Sequence, residues 1–114
     1  MVEEKAYSLS VRVINFMEIV GCGVIEQKSG KNVVELGDFL DNDRELIDLW
    51  GSMACVIAQK FDQSVRLCIV RSEVFKSVIF PLQDVYLGAK VPYAESAWTI
   101  SARMEPIVRA MESS

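Results

Sequence analysis

Few side chains in this sequence have types and spacings suited to chemistry. Cys22, Cys55 and Cys68 are its strongest nucleophiles. Their odd number and spacing fit no metal-ligand pattern, and neither Cys55 nor Cys68 has a basic neighbour that clearly lowers a thiol pKa. They read as reduced, buried thiols. There is no histidine, which removes the commonest general base and the commonest metal ligand. Gly21-Cys22-Gly23 is a fragment of a phosphate-loop pattern, but no GxGxxG or GxxxxGK follows, so strand packing is expected there. Asp38, Asp41, Asn42 and Asp43 cluster side-chain oxygens without the spacing or terminal glutamate of a calcium loop, which points to helix capping. No nucleophile stands beside a base. The expectation is a chain with no catalytic residue, no metal and no cofactor: not an enzyme.

The composition narrows the partners. The 114 residues suit one domain spanning 1–114, and at 51% hydrophobic they are rich in apolar side chains. That excess suggests surface buried by something beyond the monomer's own fold. Lys and Arg number 12 against 16 Asp and Glu, for a net charge of −4 with no basic run. Nucleic acid is therefore not expected as a partner, nor is a polybasic membrane anchor. No apolar stretch reaches the ~18 residues a membrane span needs. The start, "MVEEKAYS", is acidic where a secretory signal would be positive. With reduced thiols, a cytoplasmic location is expected.

Residues 6–17 fit two periods. Tyr7, Leu9, Val11 and Val13 alternate as in a strand, while Ala6, Leu9, Val13, Phe16 and Met17 form a helical stripe, and helix is favoured. A hairpin follows, with strands Ile19–Gln27 and Asn32–Leu36 around the turn 28–31, where Gly30 supplies a positive φ. Asp41, Asn42 and Asp43 can cap a long helix running from Asp43 to about Phe61, and Asp62-Gln63-Ser64 breaks it. Strands are expected at Val65–Val70, Val74–Leu82 and Asp84–Val91, antiparallel because their connectors are short. A last helix runs from Ala94 to about Met111, with Pro106 expected to kink its final turn. The order is helix, two strands, helix, three strands, helix.

The long helix carries more apolar surface than one core-facing stripe requires. On a wheel, Leu46, Trp50, Met53, Ile57 and Phe61 form one face, assigned to the sheet. Beside it lie Ile47, Gly51, Ala54, Cys55 and Ala58, mostly small, and only Asp48, Ser52 and Gln59 make a polar strip. A small stripe admits a close neighbour. That neighbour is either another part of the same chain or an identical helix from a second copy, the reading preferred here. The strand after the helix suits a sheet edge, which its own copy could pair across a two-fold axis, or which Arg66 and Arg71 could instead guard. The expected dimer surface is therefore Ile47, Gly51, Ala54, Cys55, Ala58, Val65, Leu67 and Ile69, with Asp48, Ser52 and Gln59 left for another partner. Tyr86, Tyr93 and Trp98 are further candidates for a partner surface, and equally ordinary core residues.

The element order, "VGCGVIEQKSGKNVVELG", the helix from Asp43 to Phe61, and "VRLCIVRSEVFKSVIFPLQDVYLGAKVPYAESAW" leading into the last helix resemble the roadblock family of dynein light chains and prokaryotic GTPase regulators. The resemblance covers nearly the whole chain. It implies an α+β sandwich: a five-stranded antiparallel sheet with one helix on one face and two on the other. It also implies dimers through the second helix and third strand, acting as platforms for small Ras-like GTPases. The function class expected is a non-catalytic dimeric interaction module that serves such a GTPase. The alternatives are a light-chain subunit that clasps a helix of a larger, dynein-like complex, or a profilin-like small-molecule sensor, which would need a concave polar cavity.

Overall fold

The computed structural model describes residues 1–113. Its elements are α1 (Glu3–Ile14), β1 (Gly21–Glu26), β2 (Asn32–Gly37), α2 (Asp41–Gln59), β3 (Cys68–Arg71), β4 (Phe75–Pro81), β5 (Val85–Pro92) and α3 (Ala97–Glu112). The expected order and fold class hold. One five-stranded antiparallel sheet runs β2-β1-β5-β4-β3, with α2 on one face and α1 and α3 on the other.

The ambiguous N-terminal segment is a helix. Ala6, Leu9, Ser10 and Val13 are buried at helical spacing, while Tyr7 faces solvent. The helix starts earlier and ends earlier than 6–17, and Met17 lies outside it and is exposed. Most buried apolar side chains lie in the layer between α1, α3 and the sheet, with Phe80, Leu87, Leu9 and Met104 among the largest. The layer under α2 is smaller: Ile25, Phe39, Ile47, Ile79 and Tyr86.

Gly30 adopts φ +71° in the first hairpin turn, as the turn requires. Asp62 also takes a positive φ, 54°, and closes the end of α2 with a bond from the Gln63 amide to the Ala58 carbonyl at 2.9 Å. At the other end of α2 the cap differs from expectation. The flanking residue is Leu40, whose side chain cannot accept a bond, and the Asp43 carboxylate reaches back to the Leu40 amide at 2.8 Å. α3 runs through Pro106 as one helix.

The third strand is shorter than Val65–Val70. Its ladder begins only at Cys68, opposite Ile79. Upstream, the Arg66 carbonyl accepts from the Arg109 guanidinium at 2.9 Å, and the Arg66 side chain pairs with Glu105. Both partners are on α3, so this backbone is held toward that helix and not in the sheet. Val65 and Leu67 thus precede the strand, contrary to expectation.

Candidate interaction surface

α2 carries the apolar excess expected of it, and the structure inverts most of the wheel assignment. The small stripe is the face that packs on the sheet. Ile47 is 1% exposed, Gly51 is buried, and Ala54, Cys55 and Ala58 are half-buried. The reason is two close approaches. A Cβ on Gly88 of β5 would lie 2.0 Å from Ile47 Cδ1, and a Cβ on Gly51 would meet the Tyr86 ring at 3.0 Å. Small residues on the helix and a glycine in the strand let α2 lie low on its own sheet. Ile47 and Gly51 are thus used within the chain and cannot form the outward contact assigned to them.

Of the large residues assigned to the sheet, Leu46 is half-buried against the core under α2, whereas Trp50, Met53, Ile57 and Phe61 point outward, joined by Leu49 and Val56, which had no assignment. Leu49, Trp50, Met53, Val56, Ile57 and Phe61 are 41–70% exposed. Ser52, Met53, Val56 and Ile57 line a shallow, almost wholly apolar depression of about 240 Å³ on this face. A helix with its largest apolar side chains in water lacks a partner. Among the described residues β3 pairs only with β4, so its other edge is open. Leu67 and Ile69 are half-buried against the core on the α3 side.

The three polar residues of α2 do not act as one strip. Asp48 lies against the hairpin turn, its carboxylate 2.8 Å from where a Cβ on Gly30 would sit, and nearby Arg44 donates to the Gly30 carbonyl at 2.9 Å. Ser52 donates to the Leu49 carbonyl of its own helix at 3.0 Å. Gln59 stands in the open at the far end.

The cluster at 38–43 has a role that sequence spacing did not reveal. Lys90 of β5 is only 5% exposed, with Nζ 3.0 Å from Asp43 and 3.4 Å from Asp38. It also lies 4.3 Å from the centroid of the Phe75 ring. The acidic cluster neutralises this buried cation and pins the start of α2 to the sheet. The only signal in the sequence was a lysine inside the apolar run "VYLGAKVP".

The Gly-Cys-Gly fragment is strand packing. A Cβ on Gly21 would strike the Asp38 backbone at 2.1 Å and one on Gly23 the Phe39 ring at 2.6 Å. Cys22, between them, points to the other face and donates its S–H to the Ser10 carbonyl at 3.5 Å. Burial pushes its thiol up to about 11. Burial also raises Cys55 and Cys68, the latter further because Cys55 is near. All three are poor nucleophiles at neutral pH. Tyr86 is buried beneath α2, which removes it from the candidate surface, whereas Tyr93 and Trp98 are exposed. Among the described residues no helix is long and apolar enough to cross a membrane.

No family model and no curated protein matches the sequence. Solved structures do match. Myxococcus xanthus MglB aligns over 97% of this chain and 87% of its own, with a TM-score of 0.76 and 12% identity. A structure of MglB in a tetrameric arrangement aligns over 97% and 88%, at 0.74 and 11%. A Roadblock/LC7 domain from Streptomyces avermitilis aligns over 98% and 95%, at 0.71 and 12%. At such identities the likeness is one of architecture, and it bears out the family resemblance at that level: the chain has the roadblock/LC7 fold.

Proposed function

We propose that this protein is a non-catalytic interaction module that self-associates through the outward face of α2 and the open edge of β3, and that the assembly serves as a platform or regulator for a small Ras-like GTPase. The observation that carries the first part is the exposed apolar face from Leu49 to Phe61. Self-association would bury this face and the β3 edge together, and a two-fold axis uses the same patch twice. The likeness to MglB in a tetrameric arrangement supports self-association. The GTPase part is supported by the roadblock resemblance, whose dimers act as such platforms. The surface offered to the GTPase includes Gln59 and the flank around Asp48 and Ser52, wherever the dimer leaves them open.

Ile57→Glu tests the assembly, because Ile57 is exposed in the single chain and the change leaves the core untouched. The wild type sediments as a dimer or larger at micromolar concentration and the variant as a monomer, since an unpaired charge buried at an interface costs several kcal/mol. A monomeric wild type overturns the reading. For the partner, the protein is mixed with small GTPases of its own genome loaded with GDP or a GTP analogue. Binding that prefers one nucleotide state supports a regulator. Binding to none of them favours the light-chain alternative.

A further inference from the structure

On the face opposite α2 a second surface is open. α3 packs over β4 and beside α1, and this leaves β3 only partly covered on that side, with Leu67 and Ile69 half-buried. Three depressions run end to end in the gap between β3 and α3. The first, about 400 Å³, lies between Arg71, Lys76 and the start of α3. The second, about 360 Å³, lies between Leu67, Trp98 and Ala102. The third, about 530 Å³, surrounds Arg66, Pro106 and Arg109. Trp98 borders the first two, and Arg66, Ala102 and Glu105 border the last two, so they form one groove. From Ala97 to Arg109 it is about 18 Å long at the rise of an α-helix, the span of roughly five or six extended residues.

Its charge runs against that of the chain. The protein carries −4, yet the groove is lined by four cations, Arg66, Arg71, Lys76 and Arg109, against the carboxylates Glu95 and Glu105. At the third depression the cations are answered: Arg66 and Arg109 both meet Glu105, and Arg109 also meets Glu112. At the first, among the described residues, no carboxylate pairs with them, and Arg71 and Lys76 instead lie over the Tyr93 ring, 5.2 and 5.3 Å from its centroid. Arg71 donates to the Tyr93 hydroxyl and Lys76 to the Glu95 carbonyl, both neutral acceptors. Next to this positive end stands Trp98, 70% exposed.

We propose that this groove binds an extended acidic segment of a partner protein, with a carboxylate taken by Arg71 and Lys76 and an apolar side chain laid on Trp98. Arg is suited to bidentate capture of a carboxylate, and an exposed Trp beside it has the make-up of a binding hot spot. Nucleic acid fits less well, because among the described residues only Arg71 and Lys76 of the groove's cations lack a carboxylate partner, and the chain as a whole carries −4. The groove is built within one chain, on the α3 side of β3 and away from the outward face of α2.

The test uses isotope-labelled full-length protein and three probes: a pool of ten-residue peptides of Asp and Glu with Leu and Phe, the same pool with Lys for the acids, and a ten-nucleotide oligothymidylate. The acidic pool is expected to shift the Trp98 indole and the amides of 69–71 and 94–102, with binding weakened by salt. Trp98→Ala, and separately Arg71→Gln with Lys76→Gln, should each weaken it at least tenfold while the circular dichroism stays that of the wild type. No shift, shifts centred on Met53 and Ile57, an equal response to the basic pool, or binding of the oligonucleotide alone would each overturn the proposal.

Discussion

Replacing Gly88 by Ala tests the orientation of α2 directly. The added Cβ would lie 2.0 Å from Ile47 Cδ1, 2.8 Å from Cγ1 and 3.2 Å from Cγ2. Carbon atoms in contact prefer about 3.5–4.0 Å. Rotation about χ2 can carry Cδ1 away, but Cγ1 moves only if χ1 leaves its well or α2 lifts by most of an ångström. Such overpacking costs about 1–3 kcal/mol, or roughly 4 °C of melting temperature per kcal/mol in a domain of this size. Ile47→Val alone should cost about 0.5–1.5 kcal/mol, but it removes Cδ1, the atom that clashes worst. The double variant is therefore expected to be more stable than the sum of the single changes implies, by about 1 kcal/mol or more. All four proteins are unfolded with urea in the Ile57→Glu background at one protein concentration, so that self-association does not enter the midpoints. Additive effects within about 0.5 kcal/mol would mean that Ile47 does not lie on Gly88, and the inverted orientation of α2 would be refuted.

Lys90→Met should destabilise by about 1–3 kcal/mol, less than the 3–5 of a fully enclosed pair, because Asp43 is 20% and Asp38 50% exposed. Adding Asp43→Asn should recover part of the loss, and a denaturant midpoint unmoved by Lys90→Met would remove Lys90 from its anchoring role. Cys22 predicts an alkaline limb. Its folded pKa of about 11 exceeds the ordinary 9.0, so its contribution is complete below the unfolded value and is lost as pH rises through about 9 to 11, in all about 3 kcal/mol. Cys22→Ala should flatten that limb in melts across this range, and a thiol reagent at about pH 8 should modify Cys55 and Cys68 before Cys22. Glu105 predicts an acid limb: the Arg66 guanidinium holds its carboxyl below the usual range, so its contribution is present above about pH 4.3 and fades as pH falls further. Glu105→Gln should make the acid limb shallower, and an unchanged limb would show that the pair adds nothing.

Much of the fold was legible along the chain. Turn residues and alternation placed four of the strands within about two residues, and short connectors made their pairing antiparallel, because neither depends on distant parts of the molecule. The third strand was misplaced at its start, since α3, about forty residues later, supplies the Arg109 and Glu105 that draw Arg66 away from the ladder. The first helix was ambiguous because both periods were present in its sequence. The α3 side of the sheet decided the matter by burying Ala6, Leu9 and Val13 together.

The candidate surface divides in the same way. The order of residues alone makes the second helix apolar around most of its circumference, and so gives it more to bury than one sheet face can take. It could not determine which face is which. A helical wheel fixes the angles between side chains, whereas the rotation of the helix about its own axis is set by what it lies on. Here that is Gly88 under Ile47 and Tyr86 under Gly51, residues some forty positions away. A low ridge on the helix and a gap in the sheet allow the closest packing. Turned the other way, Trp50 and Met53 would have to stand on a strand with no room for them. Packing density therefore favours the small face inward, and the large face is left for whatever the protein binds.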